Sequence, residues 1–326
     1  MLISRLTKKK EVLDRAGEMP SELVRNLREW FRVELTYTSN ALEGNTLTRR
    51  ETAMVVEKGI TVGGKSLVEH LEATNHARAF DWIDEQSRKP LKKFTENDLL
   101  HLHKNILCGI DDQNAGFYRN VPVRLSGSRT VLPNPRKVPD LISAFHQWLK
   151  SVQGFHPVDL AAEAHYRLVT IHPFIDGNGR TARLLMNLIL MCNGYPPAII
   201  RKSERGKYLD TLEKAQTGGS RDDYLQLIYR AVDRSLDIYL EAMTGDGDFV
   251  AEPDDSLLRI GKLAKQTGEN VSTLRFWLSS GLLDVSETTP SGYQLFSTAM
   301  ISRVEEIKKL KAERFTIREI KKKLSQ

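Results

Sequence analysis

The sequence predicts a mainly α-helical protein of two parts: a helical domain interrupted by one small β-hairpin, then a C-terminal winged helix-turn-helix domain. Three observations lead there. Apolar residues recur at three- and four-residue steps through most of positions 21 to 243, the period of a helix with one buried face. The stretch "TGDGDFVAEPDDS", 244 to 256, gathers Gly, Asp and Pro and reads as a linker. The whole net charge of +6 lies beyond it, with 13 basic against 7 acidic residues in 257 to 326 and 35 against 35 before, an asymmetry expected of a tail with a nucleic-acid or acidic partner. A chain of 326 residues also exceeds what one core usually serves.

Composition narrows the class. Hydrophobic residues are 40% and charged residues 28% of the chain, values of a soluble globular protein. No apolar run approaches a membrane span, and "MLISRLTKKKEVLD" has no stretch for a signal peptide. Only Cys108 and Cys192 are present, so no disulfide framework is expected and a cytoplasmic location without a membrane partner follows.

Taken in order, "SELVRNLREWFRVELTYTSNALEGN" predicts a helix from Ser21, read as its cap, to Gly44. Further helices are predicted at 68 to 86, 95 to 107, 138 to 152, 158 to 170, 179 to 193, 205 to 216 and 221 to 243. "NVPVRLSGSRTVLP", 120 to 133, has two short β-prone runs around Gly127 and predicts a hairpin.

The chemistry concentrates in "HPFIDGNGRTAR", 172 to 183, which joins two apolar helices. Its "DGNG" carries little side-chain bulk, so backbone N–H groups can turn inward at the start of the second helix and form an anion site. Arg180 and Arg183, three apart in the first turn, oppose the helix dipole unless a negative ligand sits there. A polyphosphate is the expected ligand. Asp176 beside it calls for a bridging cation, and Mg²⁺ takes one or two carboxylates plus phosphate oxygens. His172, the one histidine of the segment, can accept a proton near neutrality. These are the parts of a phosphoryl or nucleotidyl transfer.

The segment resembles the motif of Fic-domain proteins, H-x-F-x-D/E-G-N-G-R-x-x-R, at His172, Phe174, Asp176, Gly177, Asn178, Gly179, Arg180 and Arg183. The likeness runs outward through "AGFYRNVPVRLSGS" and "GYPPAIIRKSERGKYLDTLEKAQ" over most of 35 to 235. It implies a protein adenylyltransferase that moves AMP from ATP to a hydroxyl side chain of a target protein, itself included, and releases pyrophosphate. By the same resemblance His172 is the base, Asp176 holds Mg²⁺, and residues 177 to 183 bind the nucleotide: Gly177, Asn178, Gly179, Arg180, Thr181, Ala182 and Arg183. Phe174 packs into the core, Tyr208 and Gln216 line the nucleoside pocket, and the 120 to 133 hairpin is the flap on which a target segment adds as a strand. Relatives that move a phosphoryl group carry Lys at the position of Gly179, which speaks against that variant.

"SNALEG", Ser39 to Gly44, resembles the family's inhibitory motif S/T-x-x-x-E-G/N. It implies that Glu43 pairs with Arg183 and keeps the ATP tail out. In some relatives the same glutamate positions a water that removes AMP, so reversal is a second expected activity. The expected organisation is then 1 to 90 with the inhibitory motif, a catalytic core at 91 to 243, the linker, and a tail at 257 to 326.

The tail sequence "LLRIGKLAKQTGENVSTLRFWLSSGLL" reads as two helices around Gly268, the second opening with Ser272, Thr273 and Arg275. "SGYQLFS" reads as a wing and "VEEIKKLKAERFTIREIKKKL" as one basic helix. This resembles the DNA-binding domain of MerR-type regulators, which implies DNA contacts at Ser272, Thr273 and Arg275. Gln294 stands where that family has Arg, and no long dimerisation helix follows. Docking of a protein target therefore competes with DNA binding, and a DNA-binding regulator whose Fic-like part senses nucleotide is the alternative to the enzyme.

Overall fold

A computed structural model describes residues 2–244, 257–285, 287–288, 294–297, 299–313 and 315–324. The chain forms two compact units, Met1–Phe249 and Val250–Gln326. Apart from residue 244, the linker expected at 244 to 256 lies outside the described residues.

The described part of the first unit contains ten α-helices: α1 (Leu2–Arg15), α2 (Ser21–Glu43), α3 (Arg49–Lys58), α4 (Leu67–Ser87), α5 (Glu96–Leu107), α6 (Val138–Ser151), α7 (Pro157–Ile171), α8 (Asn178–Cys192), α9 (Arg205–Gln216) and α10 (Asp222–Thr244). Their starts follow from local chemistry. Thr48 with Glu51, Ser66 with Glu69 and Thr95 with Asp98 form reciprocal capping boxes that satisfy otherwise orphaned N–H groups. Ser21 does not cap α2; Pro20 holds that position without a side-chain bond and Ser21 is the first helical residue. A proline with fixed φ presets the entry into the helix.

Helix α8 is the centre of the unit. Leu184, Leu185, Met186, Leu188, Ile189 and Leu190 are all buried on it, each contributing roughly 1.5–3 kcal/mol of burial. Around it pack α2, α4, α5 and α7. The second half of α2 is buried all round, from Val33 to Leu42, so its polar groups need partners inside. Thr36 bonds His76, and Asn40 donates to the Glu72 carbonyl.

Residues 120 to 133 do not form the expected hairpin. They run as an open loop with one turn, from the Ser128 N–H to the Leu125 carbonyl, and no strand among them. The reason lies in where the loop's polar groups go. Arg129 N–H donates to Glu213 and the Thr130 hydroxyl to Gln216, both on α9, while Pro122 has no N–H to offer a ladder.

The second unit has a sheet of order β1-β3-β2, antiparallel throughout, from β1 (Leu257–Arg259), β2 (Glu287–Thr288) and β3 (Gln294–Ser297). Helices α11 (Ile260–Thr267) and α12 (Val271–Ser279) meet at Gly268, whose φ of 67° is left-handed. Trp277, Leu274, Leu263, Phe296, Val304 and Ile307 form the core. Of the expected wing, 294 to 297 is strand β3 and 291 to 293 lies outside the described residues. The basic helix expected over 304 to 324 is two helices, α13 (Ala299–Ala312) and α14 (Ile317–Leu324). Thr316 and Glu319 exchange capping bonds there and start a new helix. Among the described residues no helix is long and apolar enough to cross a membrane.

Candidate active site

The loop between α7 and α8 brings the motif together. His172 ends α7 in the left-handed region, φ 49° and ψ 61°, the one described non-glycine residue with positive φ. Such a conformation is costly for a residue with a Cβ and persists where surroundings enforce it. Its Nδ1 lies 3.3 Å from the Val169 carbonyl. A carbonyl only accepts, so Nδ1 carries the proton and Nε2 keeps a lone pair. Burial lowers the imidazole pKa, with Arg119 acting the same way against the Val169 bond, Glu43 and Asp176. The ring is therefore neutral at pH 7.

Three side chains hold the loop. Asn178 makes two 2.9 Å bonds to the backbone of Phe174, accepting from its N–H and donating to its carbonyl. Phe174 is fully buried and stacks on His103 at 3.6 Å between centroids. His103 accepts from the Gly116 N–H at Nδ1 and donates from Nε2 to the Asp176 carbonyl; burial lowers its pKa to about 4, so it stays neutral.

At the start of α8 the N–H of Thr181 is spent on the Gly177 carbonyl, its hydroxyl bonds the same atom, and the Ala182 methyl is fully buried. Those two residues frame the turn. The N–H groups ahead of them, at Asn178, Gly179 and Arg180, are the ones a helix start leaves without intrahelical partners. Gly177, φ 74°, sits against His103, where a Cβ would meet its ring at 3.3 Å.

Both arginines are nearly fully buried, at 3% for Arg180 and 5% for Arg183. Arg180 reaches Glu72 of α4 at 2.8 Å and Asp176 at 3.2 Å, and its Nε has no partner. Arg183 donates to the Ser39 hydroxyl, to the Ser39 carbonyl and, at 2.7 Å, to Glu43 Oε1. The pairing expected from the sequence is thus present. Burial would raise the Glu43 pKa, yet the charge and hydrogen bond of Arg183, with Arg180 and Arg205 behind, bring it below the ordinary value. The carboxylate overlies the loop: a Cβ at Gly179 would lie 2.4 Å from Glu43 Oε1.

Asp176 is 68% exposed at its side chain. Among the described residues no three His, Cys, Asp or Glu converge as a metal cage. A lone exposed carboxylate is the donor set of a cation shared with ligand phosphates, which fits Mg²⁺. Tyr208 lies deeper, 2% exposed, donating to His165 Nε2, whose Nδ1 donates to Tyr224, whose hydroxyl ends on the Ala162 carbonyl. Burial raises the Tyr208 pKa, and the nearby Arg183 guanidinium opposes the rise. Gln216 bridges Thr170 on α7 and Thr130 on the 120 to 133 loop. In the second unit Ser272 and Arg275 are exposed and Thr273 is half-buried, all in the first turn and a half of α12.

Glu72, His103 and Arg119 belong to this site without a signal in the motif. Arg119 alone sat in a stretch with any, the "AGFYR" preceding the loop.

Residues 93–190 match the Fic/DOC family, and residues 258–326 match the MerR HTH family regulatory protein family. Protein adenylyltransferase Fic of Culex quinquefasciatus is 39% identical over 240 residues, 73% of this chain and 47% of the relative. The chain thus spans about half the length of such curated relatives. The crystal structure of a Fic domain containing signaling protein from Bacteroides thetaiotaomicron is 30% identical with a TM-score of 0.66, covering 75% of this chain and 98% of that one. Fic-1 from C. elegans aligns at a TM-score of 0.68 and 28% identity over 76% of this chain and 73% of its own. With the motif of 172 to 183 on the loop that opens α8, and a relative matched over nearly its whole length, the chain belongs to the Fic/DOC family.

Proposed function

We propose that this chain transfers AMP from ATP to a hydroxyl side chain of a protein and that Glu43 holds the reaction in check. The observation that carries both halves is the place of the Glu43 carboxylate, 2.7 Å from Arg183 and close over Gly179. An anion site made of free N–H groups and buried arginines is here filled by the protein's own anion. ATP triphosphate is the ligand that would compete for it. His172 Nε2, neutral with its lone pair available, takes the proton of the target hydroxyl. The hydroxyl oxygen then forms its bond to the α-phosphorus, and the bond to pyrophosphate breaks. Mg²⁺, held by Asp176 and the phosphates, would neutralise charge on the leaving group. Arg180 and Arg183 clamp the phosphates, with Gly177 to Gly179 as their cradle, and Tyr208 and Gln216 lie below and beside the nucleoside end. The 120 to 133 loop, whose Arg129 and Thr130 are tied to α9, receives the target segment. Reversal by a Glu43-held water belongs to the same reading.

Incubating the protein with α-labelled ATP, with and without a lysate, tests it. Glu43→Gly should raise labelling of itself and of targets by orders of magnitude and tighten ATP binding, because Arg183 is released. Absent or unchanged labelling, with ATP binding unchanged too, would sink it.

A second reading rests on the MerR-type match: residues 257 to 326 bind DNA through Ser272, Thr273 and Arg275, and the first unit reports nucleotide to them. The retained His172 favours the enzyme, since a sensor has no use for a base.

A further inference from the structure

Arg119 is a buried cation without an acid. It is 2% exposed, and among the described residues no carboxylate forms an ion pair with it. All its bonds go to backbone carbonyls: Nε to His172 at 2.7 Å, Nη2 to Pro133 at 2.7 Å and Nη1 to Val121 at 3.3 Å. Its own N–H donates to the Pro173 carbonyl at 2.9 Å. Burying an unpaired charge is expensive, and here three backbone carbonyls take the place of water around it. What the group does is join three chain segments. One is the residue whose backbone is forced left-handed; the other two are the ends of the 120 to 133 loop.

We propose that Arg119 is a positioning residue for the transfer reaction: its planar guanidinium locks the backbone of His172, and with it the imidazole, in one frame with both ends of the loop that receives the target. The inference rests on the adenylyl-transfer reading. A single rigid group that fixes base and target loop together sets the distance between Nε2 and the target hydroxyl, the quantity on which proton transfer depends. Lysine cannot replace it, since an ammonium has no planar fork to span three carbonyls.

The charge acts as well as the shape. The charged groups facing the His172 ring are Arg119, Glu43 and Asp176, the first disfavouring the imidazolium and the two carboxylates favouring it. Loss of the Arg119 charge therefore moves the His172 titration to higher pH. The acid limb of activity moves with it, because only the neutral ring accepts a proton.

The test is made in the Glu43→Gly protein, comparing Arg119, Arg119→Met and Arg119→Lys. The His172 ring is titrated by NMR, its signal identified by its loss in His172→Ala, and self-labelling is measured against pH and ATP. Arg119→Met should lower kcat on the order of a hundredfold, leave ATP affinity unchanged, and shift both the ring titration and the acid limb upward. Arg119→Lys keeps the charge, so it should lose rate while titrating near the parent; as the milder change it also serves if the Met protein does not fold. Failure of Glu43→Gly to label at all counts against adenylyl transfer, and the titration then decides for Arg119 alone. A folded Arg119→Met protein that titrates and labels like its parent would overturn the proposal.

Discussion

His172 holds its proton on Nδ1 because a carbonyl, with no hydrogen to give, is its partner there. That single bond fixes the free lone pair on Nε2, and burial keeps the ring neutral. Two outcomes follow at this scale. His172→Ala should abolish AMP attachment yet leave ATP binding intact, measured by labelling and by calorimetry, since the base acts on the target hydroxyl and not on phosphate. The pH profile of Glu43→Gly should be flat through neutrality and fall on the acid side of 6.5, the ordinary imidazole value from which this ring is lowered; the active form is the unprotonated one, so activity is lost as pH drops through the folded pKa. Residues within the motif were legible because they are contiguous: the loop, its two arginines and Asp176 need no knowledge of the fold. His103 and Glu72 were not. They come from α5 and α4, and neither "LHLHKN" nor "VEHLEATN" carries a spacing that points at Asp176 or Arg180. Thr181 and Ala182, which adjacency in the motif puts with the ligand, are fully buried side chains that frame the turn at the start of α8.

Helix α2 delivers Glu43 from its last turn, and the element ends at Gly44 with φ 105°. Beyond it Asn45 donates to the Glu69 carbonyl and to Glu72 Oε2, while Glu72 Oε1 holds Arg180. The segment just beyond α2 and an arginine of the motif thus share one carboxylate. Gly44→Ala meets no atom within 4 Å, so its only cost is the strained backbone, about 1–2 kcal/mol. That strain sits next to Glu43. The substitution should lower the melting temperature by a few degrees and raise self-labelling above the parent, though below Glu43→Gly; unchanged labelling would show that the helix end is not what seats the carboxylate. Most helices were legible from a 3.6-residue period, but α1 and α3 were not among those the sequence predicts, and the second half of α2, buried all round, has no polar face to show one. The 120 to 133 loop misled because alternation reads as strand whether or not a partner strand takes the N–H groups; here the Arg129 N–H goes to Glu213 on α9, the Thr130 N–H to the Ser128 hydroxyl and the Ser128 N–H to the Leu125 carbonyl. The break between α13 and α14 was written in the sequence as T-x-x-E, but lysine clusters on both sides of it made the stretch read as one basic helix.

At the scale of the whole molecule the chain divides its charge as it divides its fold: the six excess positive charges all belong to 257 to 326. On α12 the exposed positions are Ser272, Arg275, Phe276 and Ser279, spaced 3, 4 and 7 apart and so on one face, opposite the buried Leu274 and Trp277. An arginine and an aromatic ring, 55% exposed, on the free face of the second helix of a helix-turn-helix make a surface that can read a groove. If that surface binds DNA, affinity should fall steeply with salt, because each phosphate contact releases a counterion. Arg275→Ala should then reduce preference for one sequence, while substitutions in the Lys321 to Lys323 run should weaken binding to all sequences and lower the slope against salt by about one per contact. The competing role, docking of the protein to be modified, gives different results: removal of 257 to 326 would lower target labelling and leave self-labelling intact, with no salt-dependent DNA complex. A gel-shift series with genomic fragments at low salt separates the two. Retention of no fragment at about ten micromolar protein, within the usual range of non-specific binding, would assign the tail to docking.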